Sequence, residues 1–194
     1  MIAVQSFPTP HGMLRLGAWQ GHLCLCDWQY RTMRAAIDRR IQKALQADWV
    51  EKDDPVLEET RRQMEEYFQK KRQMFDLPLL FTGTDFQKRV WEALLRIPYG
   101  TTVSYHDLAV QMANAEAVRA VAAANGANAI SIIVPCHRVV GSQGELTGYA
   151  GGLSAKKSLL QLEQAQTKFH APGALSLFDV HTMNGHDTVV INKK

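Results

Sequence analysis

Ile132-Ile133-Val134-Pro135-Cys136-His137-Arg138-Val139-Val140 is the stretch on which the reading of this chain turns. Its apolar, largely β-branched residues read as a buried strand that delivers one cysteine, with an imidazole beside it, to the strand's end. Pro135 lacks a backbone N–H and restricts its own φ, so it ends the strand and sets Cys136 on a turn. A thiol is a good nucleophile only as the thiolate, and a neighbouring histidine can take its proton. Arg138 adds a permanent positive charge two residues on. Taken alone, the Cys-His pair reads more readily as a buried structural cysteine, since free cysteine is among the most buried residue types.

Upstream of this stretch the pattern is helical. Phe86 to Arg96 reads as a helix capped by Thr84 or Asp85 and stopped by Ile97-Pro98-Tyr99-Gly100. Ser104 and Asp107 make a capping-box-like start for a second helix that runs to about Met112. A turn at Ala113-Asn114-Ala115 leads to a third helix through Val118 and Val121, which Asn125-Gly126 ends as a left-handed cap. Two short helices joined by a tight turn are a helix-turn-helix candidate. Another helix begins near Ser154. Farther upstream, Met13–Trp19 and Leu23–Trp28 read as strands joined at Gln20-Gly21-His22. Thr32 to Ala47 and the segment opened by Pro55 read as helices, and Phe75 to Phe81 as a last strand. Thr82-Gly83-Thr84-Asp85 is the linker between the two halves. After Gln166 the pattern weakens. Leu175–Phe178 and Thr188–Ile191 are candidate short strands in an otherwise loosely held extension.

The composition bounds the function. The chain has 194 residues, 46% hydrophobic and 21% charged, which is ordinary for a globular protein. It has no run of some 20 apolar residues and no basic-then-apolar leader, so neither a membrane span nor a secretory signal is expected. Three cysteines (Cys24, Cys26, Cys136) make no disulfide framework. They fit a reducing compartment, cytoplasmic or, in a eukaryote, nuclear. A net charge of +3 permits nucleic-acid binding without arguing for it. His22, Cys24 and Cys26 alternate onto one strand face, but Cys-x-Cys with one histidine is a poor zinc pattern, and no metal is expected.

From Phe86 to Glu163 the chain resembles the catalytic domain of the O6-alkylguanine-DNA alkyltransferases. The matching blocks, in order, are Phe86-Gln87-Lys88-Arg89-Val90-Trp91, Ile97-Pro98-Tyr99-Gly100, Val103-Ser104-Tyr105, Arg119-Ala120-Val121, Asn125-Gly126-Ala127-Asn128, Val134-Pro135-Cys136-His137-Arg138-Val139 and Thr147-Gly148-Tyr149-Ala150-Gly151-Gly152-Leu153. The resemblance is weaker over the N-terminal half and absent after about Gln166. It implies an α/β (α+β) N-terminal domain with a small antiparallel sheet, ribonuclease-H-like, over residues 1–82. A mainly helical domain with a helix-turn-helix follows over 83–166, and an extension of unknown role over 167–194. It also implies direct-reversal DNA repair: a methyl or larger alkyl group moves once, irreversibly, from guanine O6 in duplex DNA to the protein's own cysteine. Thymine O4 is a second candidate substrate. The implied partner is double-stranded DNA carrying O6-alkylguanine. A monomer with no cofactor and no membrane is expected.

The resemblance also assigns roles. Cys136 is the nucleophile, His137 its general base through a water, and Glu163 the acid that orients His137. Tyr105 protonates the departing base, and Asn128 hinges the turn at the nucleophile strand. Arg119 is the finger that replaces the extruded base, on a helix whose small residues, Ala120 and Ala123 among them, fit the minor groove. Arg138 is placed at the DNA. Lys88, Arg89, Arg96, Lys156 and Lys157 are candidate phosphate contacts. Val139, Tyr149, Ala150 and Gly151 line the alkylguanine pocket. The chain departs from the family pattern at Asp85, Val118, Ala122 and Ala129; Val118 and Ala122 lie on the presumed DNA-facing helix. Three other readings compete: a non-catalytic lesion binder, which would lack the cysteine; a cysteine hydrolase, whose base seldom adjoins its nucleophile; and a helix-turn-helix transcription factor, which reads bases with larger side chains.

Overall fold

In a computed structural model, which describes residues 1–164, 181–182 and 188–190, the chain forms two compact units that divide at Gly83 and Thr84. The first is built on β1 (Ile2–Thr9), β2 (Gly12–Trp19) and β3 (His22–Trp28), an antiparallel meander. The β2–β3 turn is tight because Gln20 and Gly21 both take positive φ, 47° and 80°, the twist a two-residue hairpin prefers. Helix α1 (Arg34–Leu45) buries Ile37 and Ile41, and α2 (Pro55–Phe68) buries Leu57, Met64 and Tyr67. Pro55 sits in the first turn of α2, and the Asp54 side chain accepts from Val56 N.

The sheet is antiparallel through its centre but mixed as a whole. Strand β4 (Trp49–Glu51) lies parallel to β1, and β5 (Pro78–Leu80) parallel to β3. Helical segments return the chain to each flank, which is what parallel pairing requires. Near the C-terminus, β8 (His181–Thr182) and β9 (Thr188–Val190) extend the sheet, with β9 antiparallel to β5. The 188–191 expectation thus meets a strand, whereas Leu175–Phe178 lies outside the described residues. Cys24 and Cys26 are buried in β3, with Cys24 Sγ donating to Gly17 O at 3.4 Å and burial pushing the Cys24 thiol up to about 12.

The second unit is helical. α3 (Asp85–Leu95) starts at a capping box in which Thr84 and Gln87 satisfy each other's backbone, and α4 (Tyr105–Gln111) at another between Ser104 and Asp107. A single 3₁₀ turn, Ala115–Ala117, precedes α5 (Val118–Gly126). Trp91 Nε1 donates to Ala124 O at 2.9 Å and pins α3 to α5. Asn125-Gly126 does not end α5 as a left-handed cap. Both residues are helical, the cap is Ala127 at φ −87°, and Asn125 points inward. Two short strands, β6 (Val103–Ser104) and β7 (Val139–Val140), pair in parallel. That pairing sets Tyr105, the first residue of α4, beside the turn carrying Cys136. Helix α6 (Gly152–Leu162) closes the unit, with Glu163 as its C-cap.

Candidate active site

Residues 130–134 are buried, and Ile132-Ile133-Val134 do not make the regular strand expected of them. They form a tight turn with one isolated bridge between Ser131 and Val134, and Ile132 is held at φ 73°. A β-branched residue there stores strain of order 1–3 kcal/mol. Asn128 imposes the turn by taking over its backbone groups. Its Oδ1 accepts from Ile130 N at 2.9 Å, and its Nδ2 donates to Val134 O at 3.0 Å and to Cys136 Sγ at 3.2 Å. The hinge residue therefore also touches the sulfur. Cys136 opens the 3₁₀ turn Cys136–Arg138 and is 3% exposed, so a reaction partner must come to it.

His137 is fully buried, and its Nε2 lies 2.8 Å from Glu163 Oε1. A carboxylate can only accept, so Nε2 carries the proton and Nδ1 presents its lone pair. Nδ1 has no hydrogen-bond partner among the described residues. Burial depresses the His137 pKa below its ordinary value and outweighs Glu163, which favours the charged form. The ring is therefore a neutral base at neutral pH. Glu163, the acid expected to orient His137, is 2% exposed. Burial would raise its pKa, but His137 and Arg138 together hold it well below the carboxylate range.

Arg138, expected at the DNA, is buried and turned inward. Its Nε and Nη2 grip both oxygens of Glu163 at 2.9 and 3.0 Å, and its Nη1 donates to Ile97 O at 2.6 Å. Tyr99 lies under the guanidinium, 5.8 Å from its ring centre, and donates its hydroxyl to Leu162 O. Gly100 N donates to Glu163 Oε2; with φ +75°, and a Cβ that would stand 3.0 Å from Glu163 O, position 100 needs glycine. The block Ile97-Pro98-Tyr99-Gly100 is thus the cradle of the Glu163–Arg138 pair.

Lys156, a candidate phosphate contact in the sequence, also turns inward. It is fully buried, and Nζ donates to Val139 O at 2.6 Å and Thr147 O at 2.7 Å, tying the Tyr149 loop to the nucleophile turn. Burial lowers its pKa to about 8, while the nearby Cys136 sulfur favours the ammonium. Val139 and Gly151 are buried, and Ala150 and Tyr149 half-buried; the Tyr149 ring meets His137 edge-on at 6.4 Å.

Tyr105 is half-buried. Burial, as the largest influence, raises its pKa and keeps it a proton donor, against the opposing effect of hydrogen bonds from Thr147 and Asn125. Asn125, absent from the expected site, is 4% exposed; its Nδ2 lies 3.4 Å from both Tyr105 Oη and Cys136 O. Only its place in the block shared with Asn128 pointed to it. Its Oδ1 is buried with no partner among the described residues, at a cost of about 1–3 kcal/mol.

On α5, Arg119, Ala120, Ala123 and Gly126 are exposed at helical spacing, opposite buried Val121, Ala124 and Asn125. Val118 and Ala122 sit half-buried on the flank, off that exposed stripe. Arg89, Arg96 and Lys157 are exposed, and Lys88 is half-buried. Among the described residues no group of three or more His, Cys, Asp or Glu could hold a metal ion, and no helix is long and apolar enough to cross a membrane.

Two family models match the chain. Residues 5–81 match the ribonuclease-like domain of 6-O-methylguanine DNA methyltransferase, and residues 85–165 its DNA binding domain. The methylated-DNA–protein-cysteine methyltransferase of Methanosarcina barkeri is 53% identical over 118 residues, 61% of this chain and 74% of that protein. The constitutive enzyme of the same name from Bacillus subtilis is 46% identical over 134 residues, 63% of this chain and 81% of its own length. The crystal structure of Mycobacterium tuberculosis O6-methylguanine methyltransferase superposes with a TM-score of 0.74 at 40% identity, over 92% of this chain and all of that one. A structure from the same organism in complex with DNA superposes at 0.73, also at 40% identity, over 84% of this chain and 92% of that one.

Proposed function

The chain belongs to the 6-O-methylguanine DNA methyltransferase family, and from that premise we infer that Cys136 is the acceptor of the alkyl group it removes from DNA. The protein is a methylated-DNA–protein-cysteine methyltransferase that repairs DNA by direct reversal. DNA is its partner. The substrate is O6-alkylguanine in duplex DNA, and the protein acts as a monomer in a reducing compartment.

The chemistry balances with the residues at hand. The Cys136 thiol gives its proton, through a water, to the neutral Nδ1 of His137. Glu163 stabilises the imidazolium this produces, and Arg138 keeps Glu163 ionised throughout. The sulfur forms a bond to the alkyl carbon as the bond from that carbon to guanine O6 breaks. The electron pair passes into the purine, and Tyr105 donates its proton to a ring nitrogen, so that a neutral guanine departs. The thioether on Cys136 is stable and each molecule reacts once. Lys156, buried near the sulfur, favours negative charge there before the attack.

Because Cys136 is 3% exposed, the target base must leave the helical stack to reach its sulfur. Arg119, at the exposed face of α5, occupies the place it vacates, and Ala120 and Ala123 let the helix backbone approach the groove. The observation that carries this reading is the sulfur held by Asn128 beside the His137–Glu163–Arg138 chain of hydrogen bonds. A lesion binder without chemistry has no use for either. Mixing the protein with a duplex containing O6-methylguanine should add the mass of one methylene to the Cys136 peptide, in a ratio of one adduct per molecule, and Cys136→Ser should add none. An unmodified Cys136, or repeated turnover, would falsify the assignment.

A further inference from the structure

The nucleophile and the proton donor come from different elements, the 3₁₀ turn Cys136–Arg138 and the start of α4, and something must hold them in step. Asn125 is the side chain that bonds to both. The Cys136 carbonyl can only accept, so the Asn125 atom 3.4 Å from it is the amide nitrogen. The same nitrogen lies 3.4 Å from Tyr105 Oη and therefore donates to that oxygen as well. A phenol has one proton and two lone pairs. With one lone pair filled by Asn125 and Thr147 hydrogen-bonded at the same oxygen, the directions left to the phenolic proton are restricted.

We propose that Asn125 is a positioning residue for the proton donor: anchored on the carbonyl of the nucleophile's own residue, its amide donates to Tyr105 Oη and turns the phenolic proton toward the departing purine. The proposal rests on Tyr105 being that donor. Two further observations support it. The amide's donation also stabilises the phenolate that Tyr105 becomes on losing its proton, a direction shared by Thr147 and opposed by burial and by Cys136. The Oδ1 of Asn125 is buried without a partner among the described residues, whereas its buried neighbours on α5, Val121 and Ala124, are apolar. An apolar residue of the same size would avoid that orphan acceptor, so the stability of the helix does not explain the asparagine.

The test is a double-mutant cycle on the full chain: wild type, Asn125→Leu, Tyr105→Phe and the double variant, in single-turnover reactions with O6-methylguanine duplex. Tyr105→Phe should slow alkyl transfer about a hundredfold. Asn125→Leu should slow it about tenfold in the wild-type background and not at all in the Tyr105→Phe background, because it acts through the phenol. Duplex affinity should not change. Nor should the reaction of Cys136 with iodoacetamide, which needs no purine protonation. If Asn125→Leu does not fold, as judged by circular dichroism, Asn125→Met replaces it. Equal slowing in both backgrounds, a slowed iodoacetamide reaction, or a wild-type rate in Asn125→Leu overturns the proposal while leaving Tyr105 as the donor. A wild-type rate in Tyr105→Phe overturns both.

Discussion

Glu163 commits both carboxylate oxygens, one to His137 and both to Arg138, and Gly100 N adds a fourth donor. Such a group is tolerated in a buried place only because each oxygen is satisfied and the charge is paired. The arrangement has a pH signature. His137 titrates below its ordinary 6.5 in the fold because it is buried. As the pH drops through 6.5 the unfolded chain therefore takes up a proton that the folded chain refuses, and stability falls. Glu163 lies below its ordinary 4.5, so its contribution, present above that value, is lost as the pH falls further toward its folded value. Both act in the same direction. Single-turnover rates should fall on the acid side with a midpoint below 6.5, where Nδ1 becomes protonated. A midpoint at or above 6.5 for the acid limb would show that His137 is not a base depressed by burial.

At the scale of elements, local signals read well where the partners lie within one turn. Thr84 with Gln87 and Ser104 with Asp107 start α3 and α4 where their spacing says they should, because a capping box closes over three residues. Asn125-Gly126 misled, because its asparagine is held from outside the helix by Tyr105 and Cys136. Ile132-Ile133-Val134 misled for the same reason: Asn128 takes backbone groups of this turn that a strand would have offered to a neighbour. The α5 face is legible as a pattern of small residues, and its exposure invites a test. Ala123→Asp puts a negative charge and bulk on an exposed stripe. It should weaken duplex binding about tenfold, measured by fluorescence anisotropy, and leave the thermal midpoint unchanged.

For the whole molecule, every residue of the candidate active site comes from the second unit, whereas the sheet of the first is completed by strands from the far end of the chain. Without β8 and β9, β5 becomes an edge strand with unpaired backbone groups. A chain shortened to end at Gln164 should unfold at a lower temperature in calorimetry by the equivalent of about 1–2 kcal/mol. It should still methylate Cys136 at the full rate in a single-turnover assay. A rate that falls with the truncation would tie the C-terminal strands to the chemistry.

The sequence by itself determined what kind of chemistry this protein carries, because a cysteine after Pro135, a histidine beside it and the ordered blocks around them are properties of residue type and order. It also determined where the helices begin, since those signals act across three or four residues. Only the tertiary structure decided which charges serve the site. Arg138 and Lys156 look like DNA contacts in the sequence, yet their partners lie 25 and 41 residues away for Arg138 and 17 and 9 for Lys156. Whether a long cation faces water or a buried acceptor depends on which distant backbone and carboxylate groups the fold brings to it. That choice is made by burial and pairing, which no local spacing encodes.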